Sequence, residues 1–106
     1  MIEELSLIKS LLTKSFYDDY KGTKCPPKLF RTKELGRVKT TIDKAMQEYK
    51  RDLSAEEVAG LFFVNNPTMT TAERDSYEKL FTQIKSQPTI GSDVANGILA
   101  KLFQKY

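Results

Sequence analysis

The residue types that most often perform enzyme chemistry are scarce in this sequence of 106 residues. It contains no histidine, the side chain that most often serves as a general base or a zinc ligand. Ser-His-Asp and Cys-His nucleophilic sites are therefore excluded. Its one cysteine, Cys25, cannot form an internal disulfide or a cysteine-rich metal site. The sequence predicts a chain that is not an enzyme and that uses no cofactor and no metal.

The remaining chemical candidates have ordinary structural explanations. None of the five glycines begins the GxxxxGK[ST] pattern of a nucleotide-binding P-loop. The adjacent acids Asp18 and Asp19 could bind a cation, but two acids at a solvated helix end are the more ordinary interpretation. We interpret Cys25 as an ordinary thiol, because no second cysteine is present to resolve it.

The positive charge is concentrated in one segment. The chain has a net charge of +3, but residues 21–39 carry seven basic residues and one acid, which leaves the remainder negative. The dipole disfavours cations at the start of a helix, so local helix stability does not account for this run. A partner bearing phosphates or carboxylates would account for the run of cations, although a solvated face is the simpler alternative. The predicted contacts to a partner or to nucleic acid are Lys21, Lys24, Lys28, Arg31, Lys33, Arg37 and Lys39.

The elements that would position these side chains are predicted to be helices. Apolar residues recur at intervals of three and four almost throughout, and the run 61–64 lies inside a capped helix, so we do not interpret it as a strand. Ser54 with Glu57, and Thr70 with Glu73, have the spacing of capping boxes. The predicted helices span about residues 2–20, 28 or 32 to 51, 55–64, 71–86, and 93 onward.

These helices predict an all-α fold, a compact array of about five helices in a single domain over residues 1–106. No stretch has the ~18 apolar residues that span a membrane, and the acidic N-terminus does not resemble a secretory signal. We therefore expect a cytoplasmic protein. The last helix is still periodic at Tyr106, which fits either a natural C-terminus or a domain cut from a longer protein.

The order of features resembles one family. A first helix ends in an aromatic run at 16–17, a proline-containing loop leads to the stretch 29–38, and a long amphipathic helix leads to the Ser-capped stretch 53–58 and the turn 66–70. This order resembles the N-terminal domain of hexameric replicative DNA helicases of the DnaB type, most closely the phage versions of the T4-like class. The likeness covers about the first eighty or ninety residues and consists of apolar spacings.

The resemblance implies a non-catalytic domain that forms a collar on the helicase ring and contacts primase, a helicase loader and neighbouring subunits during DNA replication. The ATPase would lie in a separate C-terminal domain, and oligomerisation would belong to the full-length parent. In the family a helical hairpin that pairs subunits usually follows, and this chain stops at or before it. An apolar face left over from the helices would contact a neighbouring subunit, and the candidates are Phe63, Val64, Leu99 and Phe103.

The alternative is a stand-alone small phage or bacterial helical protein that binds nucleic acid or regulates a partner enzyme. The helices at 55–64 and 71–86 could mimic a helix-turn-helix. However, the basic residues of the second helix, Arg74, Lys79 and Lys85, do not line one face, which disfavours the reading of base edges.

Overall fold

The computed structural model describes residues 2–20, 30 and 32–105, and within these ranges helices joined by turns and irregular segments are present and no strand occurs. The predicted all-α class is confirmed, with six helices in place of about five. They are α1 (Ile2–Ser10), α2 (Lys14–Tyr20), α3 (Lys33–Tyr49), α4 (Ala55–Asn65), α5 (Thr71–Ser86) and α6 (Ser92–Lys105).

The additional helix arises because the predicted first helix is broken after Ser10. The amides of Leu12 and Thr13 each bond to the carbonyl three residues back, at 3.2 and 3.1 Å, which tightens the last turn of α1. The Leu12 carbonyl then accepts from the Leu53 amide at 2.9 Å, and the Lys14 amide donates to Asp52 Oδ1 at 2.8 Å. The segment that follows α3 therefore takes the hydrogen bonds that a continuous helix would have made.

The predicted helix starts at 32, 54 and 70 are confirmed. Thr32 caps α3, which settles the start of that helix at the later of the two predicted positions. Ser54 and Glu57 each accept a hydrogen bond from the other's amide at 3.0 Å. Thr70 and Glu73 make the same reciprocal pair at 3.1 and 3.2 Å. Each pair satisfies amide donors that the first turn of a helix leaves open.

Helix α1 lies deepest in the core, with α5 and α6 packed against it, while α4 lies between α3 and α5. Leu7 and Ile8 of α1 have no exposed surface, nor does Leu11 just after it, and the helix buries residues on most of its circumference. Its polar residues also make tertiary contacts. Ser10 Oγ accepts from the Ile90 amide at 2.9 Å, and Lys9 Nζ donates to the Lys85 carbonyl at 3.0 Å. These bonds attach the end of α5 and the segment that follows it to α1.

The cap of α4 should make stability depend on pH. Hydrogen bonds from the Arg51 guanidinium and from the Ser54 amide lower the pKa of Glu57 from about 4.5 to about 2. A carboxylate whose pKa is lowered by folding stabilises the native state above its unfolded pKa, and this contribution is lost as the pH falls toward the folded value. We expect the urea midpoint to fall between about pH 4.5 and 2, and Glu57→Gln to flatten that decline. Glu48→Gln, at an exposed position of α3, is the matched control. An unchanged decline in Glu57→Gln would contradict this role.

Candidate functional site

The structure describes three of the seven cations predicted to contact a partner. Lys21, Lys24, Lys28 and Arg31 lie outside the described residues. Lys33, Arg37 and Lys39 all belong to α3, but their surroundings differ. Lys33 is exposed, Arg37 is half-buried and Lys39 is 1% exposed.

The predicted partner contact at Lys39 needs correction, because this side chain is in the interior. Its Nζ donates to Asp43 Oδ1 at 2.5 Å and lies 5.5 Å from the centre of the Tyr17 ring. The Tyr17 hydroxyl donates to the same carboxylate oxygen at 2.7 Å. A buried ammonium needs such a partner because removal from water is costly. Lys39 therefore ties α2 to α3.

Arg37 joins three helices. Its guanidinium lies over the rings of Phe62 and Tyr77, at 5.6 and 5.5 Å from their centres. It donates to the Tyr77 hydroxyl at 3.2 Å and to Asn66 Oδ1 at 2.9 Å. Burial raises the pKa of the Tyr77 hydroxyl, which remains a neutral acceptor at pH 7. Arg37 thus has a structural task in addition to any contact with a partner.

One edge of Arg37 lines a polar depression, here called the α3–α4 pocket. It has a volume of about 190 Å³. Two of its lining side chains, Arg37 and Lys44, are cationic. Lys44 is exposed, and within the described ranges it makes no ion pair. The lining residues are Arg37, Thr40, Thr41, Lys44, Phe62, Asn65 and Asn66.

On its other side α4 forms a second depression with α5, here called the α4–α5 groove, of about 360 Å³. Its apolar walls come from small residues of α4 and from two phenylalanines. Its rim is charged, and the charges are paired: Lys85 Nζ lies 2.5 Å from Glu56 Oε1, and Arg74 Nε lies 3.3 Å from Glu78 Oε1. The lining residues are Ala55, Glu56, Ala59, Phe63, Glu78, Phe81, Thr82 and Lys85.

The four residues predicted to contact a neighbouring subunit have different environments. Val64 is 75% exposed, Phe103 is 47% exposed, and Phe63 is half-buried in the wall of the α4–α5 groove. Leu99 is 6% exposed and belongs to the core, so its predicted availability to a neighbouring subunit is corrected. The inward stripe of α6 steps through 95, 98, 99 and 102, which puts Leu99 inside and Phe103 outside.

The cation site considered at Asp18 and Asp19 has a simpler explanation in the structure. Lys14 Nζ lies 2.6 Å from Asp18 Oδ2, four residues away on α2. No group of three or more potential metal ligands occurs among the residues that the structure describes. None of the described helices is long and apolar enough to cross a membrane.

Comparisons with known proteins assign no family to this chain. No protein-family model matches it, and no curated protein and no solved structure is significantly similar to it. The resemblance to the helicase domain therefore stays a prediction, and the two depressions that flank α4 are the structural features that bear on function.

Sequence reasoning missed Lys44, Asn65 and the groove residue Thr82. The signal for Lys44 was present, since it lies seven residues after Arg37 and so falls on the same helical face. The predicted basic segment ends at residue 39 and therefore leaves Lys44 out. No sequence signal indicates Asn65 or Thr82, whose importance depends on which helices pack together.

Removing the partner of Lys39 should destabilise the fold. Asp43→Ala leaves an ammonium and the Tyr17 hydroxyl without their shared acceptor, and we expect a loss of roughly 3 kcal/mol in the free energy of unfolding. Lys39→Met combined with Asp43→Ala should recover much of that loss, because no charge is then left buried. Urea denaturation measures both variants. If Asp43→Ala unfolded at the same urea concentration as the unmodified chain, the structural role of Lys39 would be wrong.

Proposed function

We propose that this chain is a non-catalytic interaction domain of a phage-type replicative DNA helicase, and that it binds another replication protein through the α4–α5 groove. Two lines of argument support the proposal. The order of helices, caps and aromatic residues along the sequence resembles that domain. The observation that carries the proposal is the groove itself, an accessible apolar depression with a charged rim.

The groove has the shape that receives side chains of another protein. Ala55 and Ala59 are small and lie one helical turn apart on α4, so they leave space against α5. Phe63 and Phe81 form aromatic walls, with ring centres 6.0 Å apart and their rings steeply inclined. Aromatic walls around a small-residue floor are typical of the pockets that hold the apolar anchors of a partner helix.

Charges next to the groove indicate the chemistry of the partner. The rim charges Glu56, Lys85 and Glu78 already have partners in the chain. A neighbouring depression shares Glu78 and Thr82 with the groove and adds Asp75, Lys79 and Gln83, and neither Asp75 nor Lys79 makes an ion pair within the described ranges. The occupant that fits is an amphipathic helix with apolar residues toward the groove and charged residues of both signs toward Asp75 and Lys79. Primase, a helicase loader and a neighbouring helicase subunit are the candidate owners of such a helix.

Blocking the groove should weaken this contact and leave the fold intact. Thr82→Arg puts a long side chain at an exposed position that lines both the groove and its neighbour. We expect it to weaken binding of the purified primase or loader from the same genome at least about tenfold, as measured by calorimetry, because side chains at the centre of an interface dominate affinity. Ala100→Arg, also at an exposed helical position, is the matched control and should bind normally.

Two results would contradict the proposal. Equal binding by Thr82→Arg and the unmodified chain would exclude the groove as the contact. A reading frame around this sequence that encodes no P-loop ATPase would exclude the helicase assignment, whatever the groove binds.

A further inference from the structure

We propose that the α3–α4 pocket binds a phosphate group. The pocket lies on the side of α4 that faces α3, and the α4–α5 groove lies on the side that faces α5, so this inference goes beyond the proposed protein contact. Three kinds of observation carry it: hydrogen-bond donors that converge on the pocket, a lining without carboxylates, and helix carbonyls that are already bonded.

The donors come from a guanidinium, an ammonium and a side-chain amide. Arg37 donates two of its N–H groups to Tyr77 and Asn66. The other N–H groups of its guanidinium make no hydrogen bond in the described part of the chain. Lys44 and Asn65 line the same pocket, and neither side chain makes a hydrogen bond within the described ranges. Because Arg37 is held by two helices, its geometry is set before a ligand arrives, which lowers the entropic cost of binding.

The electrostatics of the pocket favour an anion. None of its lining residues carries a carboxylate, whereas the α4–α5 groove includes Glu56 and Glu78. Glu73 accepts from the Thr70 amide and hydroxyl, at 3.1 and 3.0 Å, and Glu34, three residues before Arg37 on α3, does not line the pocket. Asp43 is held by Lys39. Two cations without a competing acid in the lining give this pocket a positive potential.

The C-terminus of α4 would ordinarily repel an anion, because its last carbonyls carry partial negative charge. Here Asn66 reduces that repulsion. Its side-chain Nδ2 donates to the Phe62 carbonyl at 2.8 Å, and its backbone N–H donates to the Phe63 carbonyl at 3.3 Å. The same residue accepts from Arg37 through Oδ1, so a single side chain covers the helix end and orients the guanidinium.

The phosphate could belong to a nucleic-acid strand or to a small phosphorylated molecule. Lys33, Arg37 and Lys44 share one face of α3 over about 16 Å of helix length, and the exposed Lys33 extends the cationic surface beyond the pocket. Contact with several phosphates of one strand would make binding steeply dependent on salt, whereas a single free phosphate would not. The test therefore uses both probes.

The experiment is a nuclear magnetic resonance titration of the full chain with inorganic phosphate and, separately, with a short oligothymidylate. We expect the Arg37 Nε–H and Asn65 side-chain amide signals to shift with phosphate. Lys44→Glu should weaken that binding at least about fivefold, because it removes one charge-assisted donor and adds a repelling charge. Asn65→Ala should also weaken it, without altering net charge. Lys101→Glu, on α6, makes the same charge change outside the pocket and should bind normally.

Arg37 is left unchanged in these variants because its loss would disturb the packing of α3, α4 and α5. Salt-dependent binding of the oligonucleotide that is lost in Lys44→Glu would support the pocket and identify nucleic acid as the source of the phosphate. Shifts with phosphate but none with the oligonucleotide would support the pocket and identify a small phosphorylated molecule. The inference is overturned if neither probe shifts the Arg37 and Asn65 signals, or if Lys101→Glu weakens binding as much as Lys44→Glu does.

Discussion

Burial of α1 is the constraint on which the rest of this structure depends. A short helix that is covered on most sides needs neighbours on most sides, and α5 and α6 supply two of them. This arrangement requires the first helix to end at Ser10. The carbonyl of Leu12 bonds to the Leu53 amide and the amide of Lys14 bonds to Asp52, so the helical hydrogen bonds are interrupted between α1 and α2. The hydrophobic effect provides the driving force for burying α1, and these two bonds stabilise the break that follows it.

Once α1 is covered, α4 is left between α3 and α5 with a depression on each side. Arg37 holds this arrangement through Asn66 at the end of α4 and Tyr77 on α5. The two depressions differ in chemistry because their walls differ. The depression toward α5 is lined by alanines and phenylalanines, together with the charged rim. The depression toward α3 is lined mainly by threonines, asparagines and cations. One helix thereby presents a surface suited to an apolar side chain and another suited to an anion.

The basic segment shows that a count of charges along the sequence does not predict which cations are exposed. The sequence places Lys33, Arg37 and Lys39 in one cationic run, but their environments differ. Lys33 is exposed. Arg37 packs against α4 and α5 and also lines a pocket, and Lys39 is buried and paired with Asp43. Positions 33 and 37 fall on one face of α3, whereas 39 is rotated by about 200° from 37. Helical periodicity could have separated Lys39 from the other two. Helical periodicity does not predict which face of α3 the core covers, because that depends on where α2 and α4 pack.

Local sequence was sufficient to predict the helical class, the two helix starts with capping boxes at Ser54 and Thr70, and most of the core stripes. These features depend on neighbours within four residues, through side-chain hydrogen bonds to the first turn and through the 3.6-residue period. Tertiary packing produces the break after α1, buries Lys39 and Leu99, and brings Lys44 and Asn65 to one pocket. Those features join residues that lie far apart in the chain or depend on which helix face is covered. Such contacts are selected by packing all the helices at once, and local sequence carries little information about them.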